Sequence, residues 1–127
     1  MAESGAGVRH QMGIEDGIQF DDAVTFDRWL DEHGQHERRL WAVIYKKSSQ
    51  KQTVTFDALL EVALTRGWVD VQTKGTDEER YGIRFVARKP GSNWSATNRK
   101  IVKRLIADGR MHEAGAARLP PDLFADE

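Results

Sequence analysis

Phe26, Trp29 and Leu30 recur at the spacing of a helix face, and Thr25 just ahead of them is the predicted N-cap. Gly34 is the predicted stop. Ile18 and Phe20 alternate with Gln19 upstream and predict a short first strand, whereas Leu40 to Tyr45 is an unbroken apolar run between charges, the pattern of a central strand covered on both faces. Thr55 precedes a second apolar stripe, Phe56, Leu59, Leu60, Ala63 and Leu64, closed by Gly67. Trp68 to Gln72 and Tyr81 to Val86 then read as two strands of a hairpin around the polar segment Thr73 to Arg80. Ile101, Val102, Leu105 and Ile106 mark one face of a third helix, running from about Ser95 to Asp108 with Gly109 as its stop. A short helix can follow Met111 before Pro120 and Pro121 forbid continuation.

The order β-α-β-α-β-β-α predicts an α+β domain with helices packed on a mostly antiparallel sheet that contains a β-hairpin. Residues 1–16 lack any sustained period and read as a mobile arm, 17–119 as the single domain, and 120–127 as a tail. At 127 residues the chain has the length of one ordinary domain.

The absence of cysteine closes off disulfides, thiolate zinc sites and a cysteine nucleophile. No apolar run is long enough to span a bilayer, and Met1 to Gly13 lacks the apolar stretch of a secretory signal, so the expected location is cytoplasmic with no membrane insertion. Charge alters the picture more. The whole chain carries net -1, but residues 1–64 hold net -4 and residues 65–127 net +3. Residues 80–110 concentrate nine Lys and Arg against one carboxylate, Asp108. Tyr81, Phe85 and Trp94 lie in the same stretch, so basic and aromatic groups can meet there.

Strand alternation and symmetric closure of the hairpin predict that Asp70 lies opposite Arg84, Gln72 opposite Gly82, and Trp68 opposite Val86. Asp70 and Arg84 can then form a charge-fixed clamp for a carboxylate or phosphate; the plain alternative is an ion pair that sets register. Arg88 to Ser95 leads from strand into helix, where the first backbone N–H groups are unpaired donors able to hold an anion. Against this, Ser92 or Ser95 can serve simply as the N-cap. Trp94 and Asn98 are four residues apart and share a helical face if the turn starts early enough; Trp94 is then a core plug or a stacking wall.

Arg99, Lys100, Lys103 and Arg104 line the outer side of the third helix, a solvated face or a phosphate-contacting one. His33 and His36 flank Gly34 with no third ligand at metal-binding spacing, so neither a metal nor any other cofactor is expected. No serine lies in a nucleophile elbow and no complete catalytic motif is present.

From Gly67 onward the chain resembles the bacterial YdeI/OmpD-associated family, also called bacteriocin-protection proteins. The resemblance rests on Gly67-Trp68-Val69-Asp70, Tyr81, Arg84-Phe85, Arg88, Ser92, Trp94-Ser95, Asn98, Leu105, Gly109, Met111 and Gly115, with Phe20, Trp29-Leu30, Leu40-Trp41 and Lys46-Lys47 fitting the earlier half. Val71 and Ala87 depart from the family pattern, and the sequence stops at Glu127, short of the C-terminal extension of longer members. The resemblance implies an association with envelope stress or antimicrobial-peptide resistance, and attaches no reaction, cofactor or active site to it.

The leading functional reading is a binding module for a small anionic or aromatic ligand near Asp70, Arg84, Arg88, Trp94, Ser95 and Asn98. Two alternatives stand beside it: an enzyme with Asp70 as acid or base, and a nucleic-acid or protein interaction module using the basic helix 95–108. The slightly negative overall charge weighs against a nucleic-acid partner; a protein partner stays open.

Overall fold

The computed structural model describes residues 16–51, 54–89 and 92–125, so the arm predicted over 1–16 lies almost wholly outside the described residues. In chain order the elements are β1 (Ile18–Gln19), α1 (Ala23–His33), β2 (Arg39–Tyr45), α2 (Phe56–Thr65), β3 (Trp68–Gly75), β4 (Arg80–Ala87), α3 (Ala96–Ala107) and the short α4 (Glu113–Ala116), with one turn of 3₁₀ helix at Lys47–Ser49 after β2. The predicted α+β order therefore holds, with α4 added after it.

The four strands form one sheet in the order β1-β2-β4-β3, parallel only between β1 and β2. As the unbroken apolar run requires, β2 is internal and Leu40 to Ile44 are all buried. Leu40, Ala42 and Ile44 join Phe26, Leu30, Leu59, Trp68, Ile83 and Phe85 in the main core, where Phe26 meets both Phe20 and Phe85 at ring-centroid distances of 5.1 Å. A second cluster forms between α2 and α3 from Leu60, Leu64, Val102 and Leu105, and Leu123 beyond the two prolines packs into it.

Three predicted helix boundaries follow their chemistry. Thr55 caps α2 by accepting the Ala58 N–H at 3.1 Å, while Gly67 and Gly109 adopt the positive φ values, 82° and 70°, that end α2 and α3. The start of α1 is different. Asp22, not Thr25, is its N-cap: the Asp22 carboxylate accepts both the backbone N–H and the hydroxyl of Thr25, so the Thr25 hydroxyl is spent as a donor to the cap. Gly34 does terminate α1, with a right-handed φ of -67°; a Cβ there would sit 2.4 Å from the Leu30 carbonyl oxygen.

Arg66, at the end of α2, ties the helical layer together. Its Nε and Nη2 donate to the two Asp27 oxygens at 2.7 and 3.3 Å, and Nη1 donates to Asp31 at 3.2 Å. The hydrogen bonds from Arg66 hold the Asp27 carboxyl below its ordinary pKa. Because the folded-state pKa is the depressed one, the contribution is present above the unfolded carboxylate value of about 3.9 and is lost as pH falls through the folded value. Asp27→Asn should cost up to about 1 kcal/mol at neutral pH, since the carboxylate is partly solvated. Urea unfolding near pH 6 and near pH 3 checks this: the gap between wild type and variant should close in acid, and a gap that is constant with pH would refute the assignment.

Candidate functional site

The segment after β4 is pinned by backbone bonds at both sides of the sheet end. Ala87 N–H donates to the Arg38 carbonyl at 3.0 Å and Arg88 N–H to the Gly67 carbonyl at 2.8 Å. Ser95 is the N-cap of α3, with extended backbone and its Oγ accepting the Asn98 N–H at 3.1 Å; the Arg99 N–H reaches the Ser95 carbonyl at 3.0 Å. The capping role foreseen for Ser95 is thus the one it fills. The N–H groups of Ala96 and Thr97 have no hydrogen-bond acceptor among the described residues. Of the approach to α3, Pro90 and Gly91 lie outside the described residues.

Trp94 precedes the cap, so it does not share a helical turn with Asn98. It lies half-buried against the α2–α3 cluster and, on its other role, under the Arg88 guanidinium, whose Cζ is 3.8 Å from the ring centroid. The core-plug reading of Trp94 is the one this packing bears out, and the group stacked on its ring is Arg88.

Arg88 is the anomaly of the structure. Only 6% of it is exposed, yet among the described residues it has no ion pair, and the one hydrogen bond of its side chain runs from Nη2 to the Asn93 carbonyl at 2.5 Å. Its Nε and the hydroxyl of Ser92 are buried without a partner. Burial pushes the Arg88 pKa down from its ordinary value, opposed by the charge of Asp70. Taking a guanidinium out of water without a carboxylate is costly, since the stacking and the single neutral acceptor offset only part of the lost hydration.

Arg88 lines an open groove of about 1360 Å³, walled by the start of α2, by α3, by the outer end of β3 and by β4. Asp70, Arg84, Ser95 and Asn98 line the same groove, and Trp94 backs it through Arg88. The predicted site residues are thus brought together, although the predicted hairpin register is not. Asp70 lies opposite Phe85, Trp68 opposite Ala87, and Lys74 rather than Gln72 opposite Gly82; Arg84 is paired with Gln72. Paired residues share a sheet face, so Asp70 and Arg84 do not, and Trp68 points to the main core.

Two local features cause the error. The turn is closed by Asp77, which accepts the Glu79 and Arg80 N–H groups and the Arg80 Nε, making the symmetric closure fall one residue away from the assumed place. A bulge between Asp70 and Gln72 then moves the register once more and leaves Val71 exposed. The charge of Asp70 acts on Arg88, with which it forms no ion pair among the described residues.

The groove also collects residues that the sequence pattern did not mark: Arg38, Arg39, Lys89, Arg118, Asn93 and Asp57. Six basic side chains and two carboxylates line it. Arg39 pairs with Val86 and Trp41 with Arg84 across β2 and β4, so Arg39 and Arg84 share one face as diagonal neighbours. Arg38 and Arg39 belong to the acidic half of the sequence, and only the β2–β4 pairing reveals their destination.

The outer face of α3 is arranged otherwise. Arg104 and Arg110 both bind Glu61, at 2.8 and 3.0 Å, Arg99 reaches Asp122 at 3.4 Å, and Lys103 sits over Phe124. His33 stacks on Trp29 at 5.1 Å and faces His36 at 6.0 Å. Among the described residues, no group of three or more metal-ligating side chains converges, and no helix is long and apolar enough to cross a membrane.

These features define a small α+β domain with a cationic groove between its sheet edge and third helix. The chain belongs to a family described as a domain of unknown function, DUF8412, which matches residues 18–118. No curated protein and no solved structure matches the chain.

Proposed function

We propose that the protein is a binding module for a small anion that carries an apolar or aromatic part. The observation that carries this reading is Arg88: a buried guanidinium, flat against Trp94, with Nε unpaired and no carboxylate partner among the described residues, set in the wall of an open groove. An anion reaching the groove would find this charge, the Ser92 hydroxyl and the first N–H groups of α3, while Val69, Leu60 and Ile101 offer apolar contact. A cytoplasmic location, and the link to envelope stress or antimicrobial-peptide resistance implied by the YdeI/OmpD-like residues, belong to the same proposal.

The basic helix supports a nucleic-acid reading less well, because Arg99 and Arg104 are already engaged by protein carboxylates. Chemical-shift mapping with sulfate, phosphate and benzoate tests the proposal. The expected result is saturable shifts confined to Arg88, Trp94, Ser95 and Asn98; a flat titration with all three anions into the millimolar range would overturn it.

A further inference from the structure

The groove has two cationic ends, and we infer that its ligand bears two anionic groups joined by an apolar body. This rests on the anion-binding reading above and specifies the chemistry of the ligand. One end is Arg88 with the unpaired Ser92 hydroxyl and the start of α3. The other is Arg84, half-buried on an internal strand between Trp41 on β2 and Gln72 on β3, with Arg39 as its diagonal neighbour. Neither Arg84 nor Arg39 has a side-chain hydrogen bond or ion pair among the described residues, although each lines the groove.

Arg84 and Arg88 are four residues apart at the end of an extended strand, which separates their Cα atoms by about 13 Å. Val86 lies between them and is paired with Val69, so the interval is floored by two β-branched apolar side chains. Ile101 of α3 and Leu60 of α2 line the groove as well. Arg88 is held against Trp94, so an anion bound at that end leaves Arg84 without a counter-charge unless the Arg84 side chain folds across the valines. A ligand with one anionic group for each, and a hydrocarbon or ring system over the valines, answers both charges and the floor. The apolar segment also limits the distance over which the two ends can be bridged by water alone.

Paired probes that differ in one carboxylate decide the matter. Octanoate is compared with suberate, and naphthoate with naphthalenedicarboxylate, by NMR titration of the full chain at constant ionic strength. The dianion of each pair should bind about tenfold more tightly, the effect of one additional charge-assisted contact. Arg84→Gln should bring the dianion-to-monoanion ratio close to one, while Arg84→Lys, which keeps the charge, should leave an intermediate ratio and so separate loss of charge from misfolding. Equal affinities within each pair, or an unaltered ratio in Arg84→Gln, would overturn the two-ended groove while leaving the single anion site standing. Absence of shifts at Arg88 and Ser95 with all four probes would overturn both.

Discussion

Arg88→Met is expected to weaken anion binding at least about 100-fold and yet leave the unliganded protein as stable as wild type, or more stable by about 1 kcal/mol. The two halves of that result have one cause. In the free protein the guanidinium is buried with a single neutral acceptor, the Asn93 carbonyl, and with Nε unpaired. Methionine is unbranched, lies well against an aromatic ring such as Trp94, and has no N–H group to desolvate. The variant forgoes one hydrogen bond and the cation–π contact, but it also removes a buried charge that has no counter-charge, and replacement of such ions by apolar side chains of similar volume is commonly neutral or stabilising. Wild type should therefore gain thermal stability with added phosphate or sulfate, by the mass-action relation for a ligand that binds only the folded state, and Arg88→Met should not. Thermal unfolding with and without the anions measures both. If the variant lost 2 kcal/mol or more without any change in the response to anions, Arg88 would be a clamp on the loop before α3 and nothing beyond it.

Such a trade of stability for a poised charge is the form in which a functional site departs from local folding rules, and it also explains what could be read in advance. The apolar run of β2, the stripes of α2 and α3 and the caps Thr55 and Ser95 are local signals, and each produced its element where its period or hydroxyl pointed. Register is not local in that sense. It was set by the Asp77 carboxylate closing the turn, which changes partners by two positions and keeps the faces, and by one extra residue near Val71, which alone suffices to change which side chains share a face. The Asp70–Arg84 clamp failed for this reason, although both residues reached the groove. Arg88 illustrates the opposite limit: its position beside Trp94 could be suspected from six residues of sequence, whereas its burial without a carboxylate is a property of the packed loop. Arg39 shows a third. It belongs to the half of the sequence with net -4, and its place in the groove depends on pairing with Val86, a contact made across more than forty residues.

The groove's far wall supplies the last expectation, a stability effect. Gly115→Ala should destabilise the fold by about 3 kcal/mol, lowering the midpoint of thermal unfolding by about 10 °C. A Cβ at Gly115 would stand 2.2 Å from the Thr65 carbonyl oxygen, 2.7 Å from its carbon and 2.8 Å from Met111 Cε. The methionine tip can swing aside. The Thr65 carbonyl cannot, because it belongs to the last turn of α2 and accepts the His112 N–H at 3.0 Å, and because the Thr65 hydroxyl holds the Val62 carbonyl at 2.6 Å. Relief has to come from α4 moving off α2, which breaks the His112 bond and withdraws Arg118, a lining residue of the groove, from the Gly67 carbonyl it approaches at 3.4 Å. Gly75→Ala is the matched control: nothing lies within 4 Å of its Cβ position, and its stability should stay within about 0.5 kcal/mol of wild type. Chemical denaturation of the two variants makes the comparison. Equal stabilities would mean that α4 is seated loosely on α2 and that the Arg118 side of the groove is not held by Gly115.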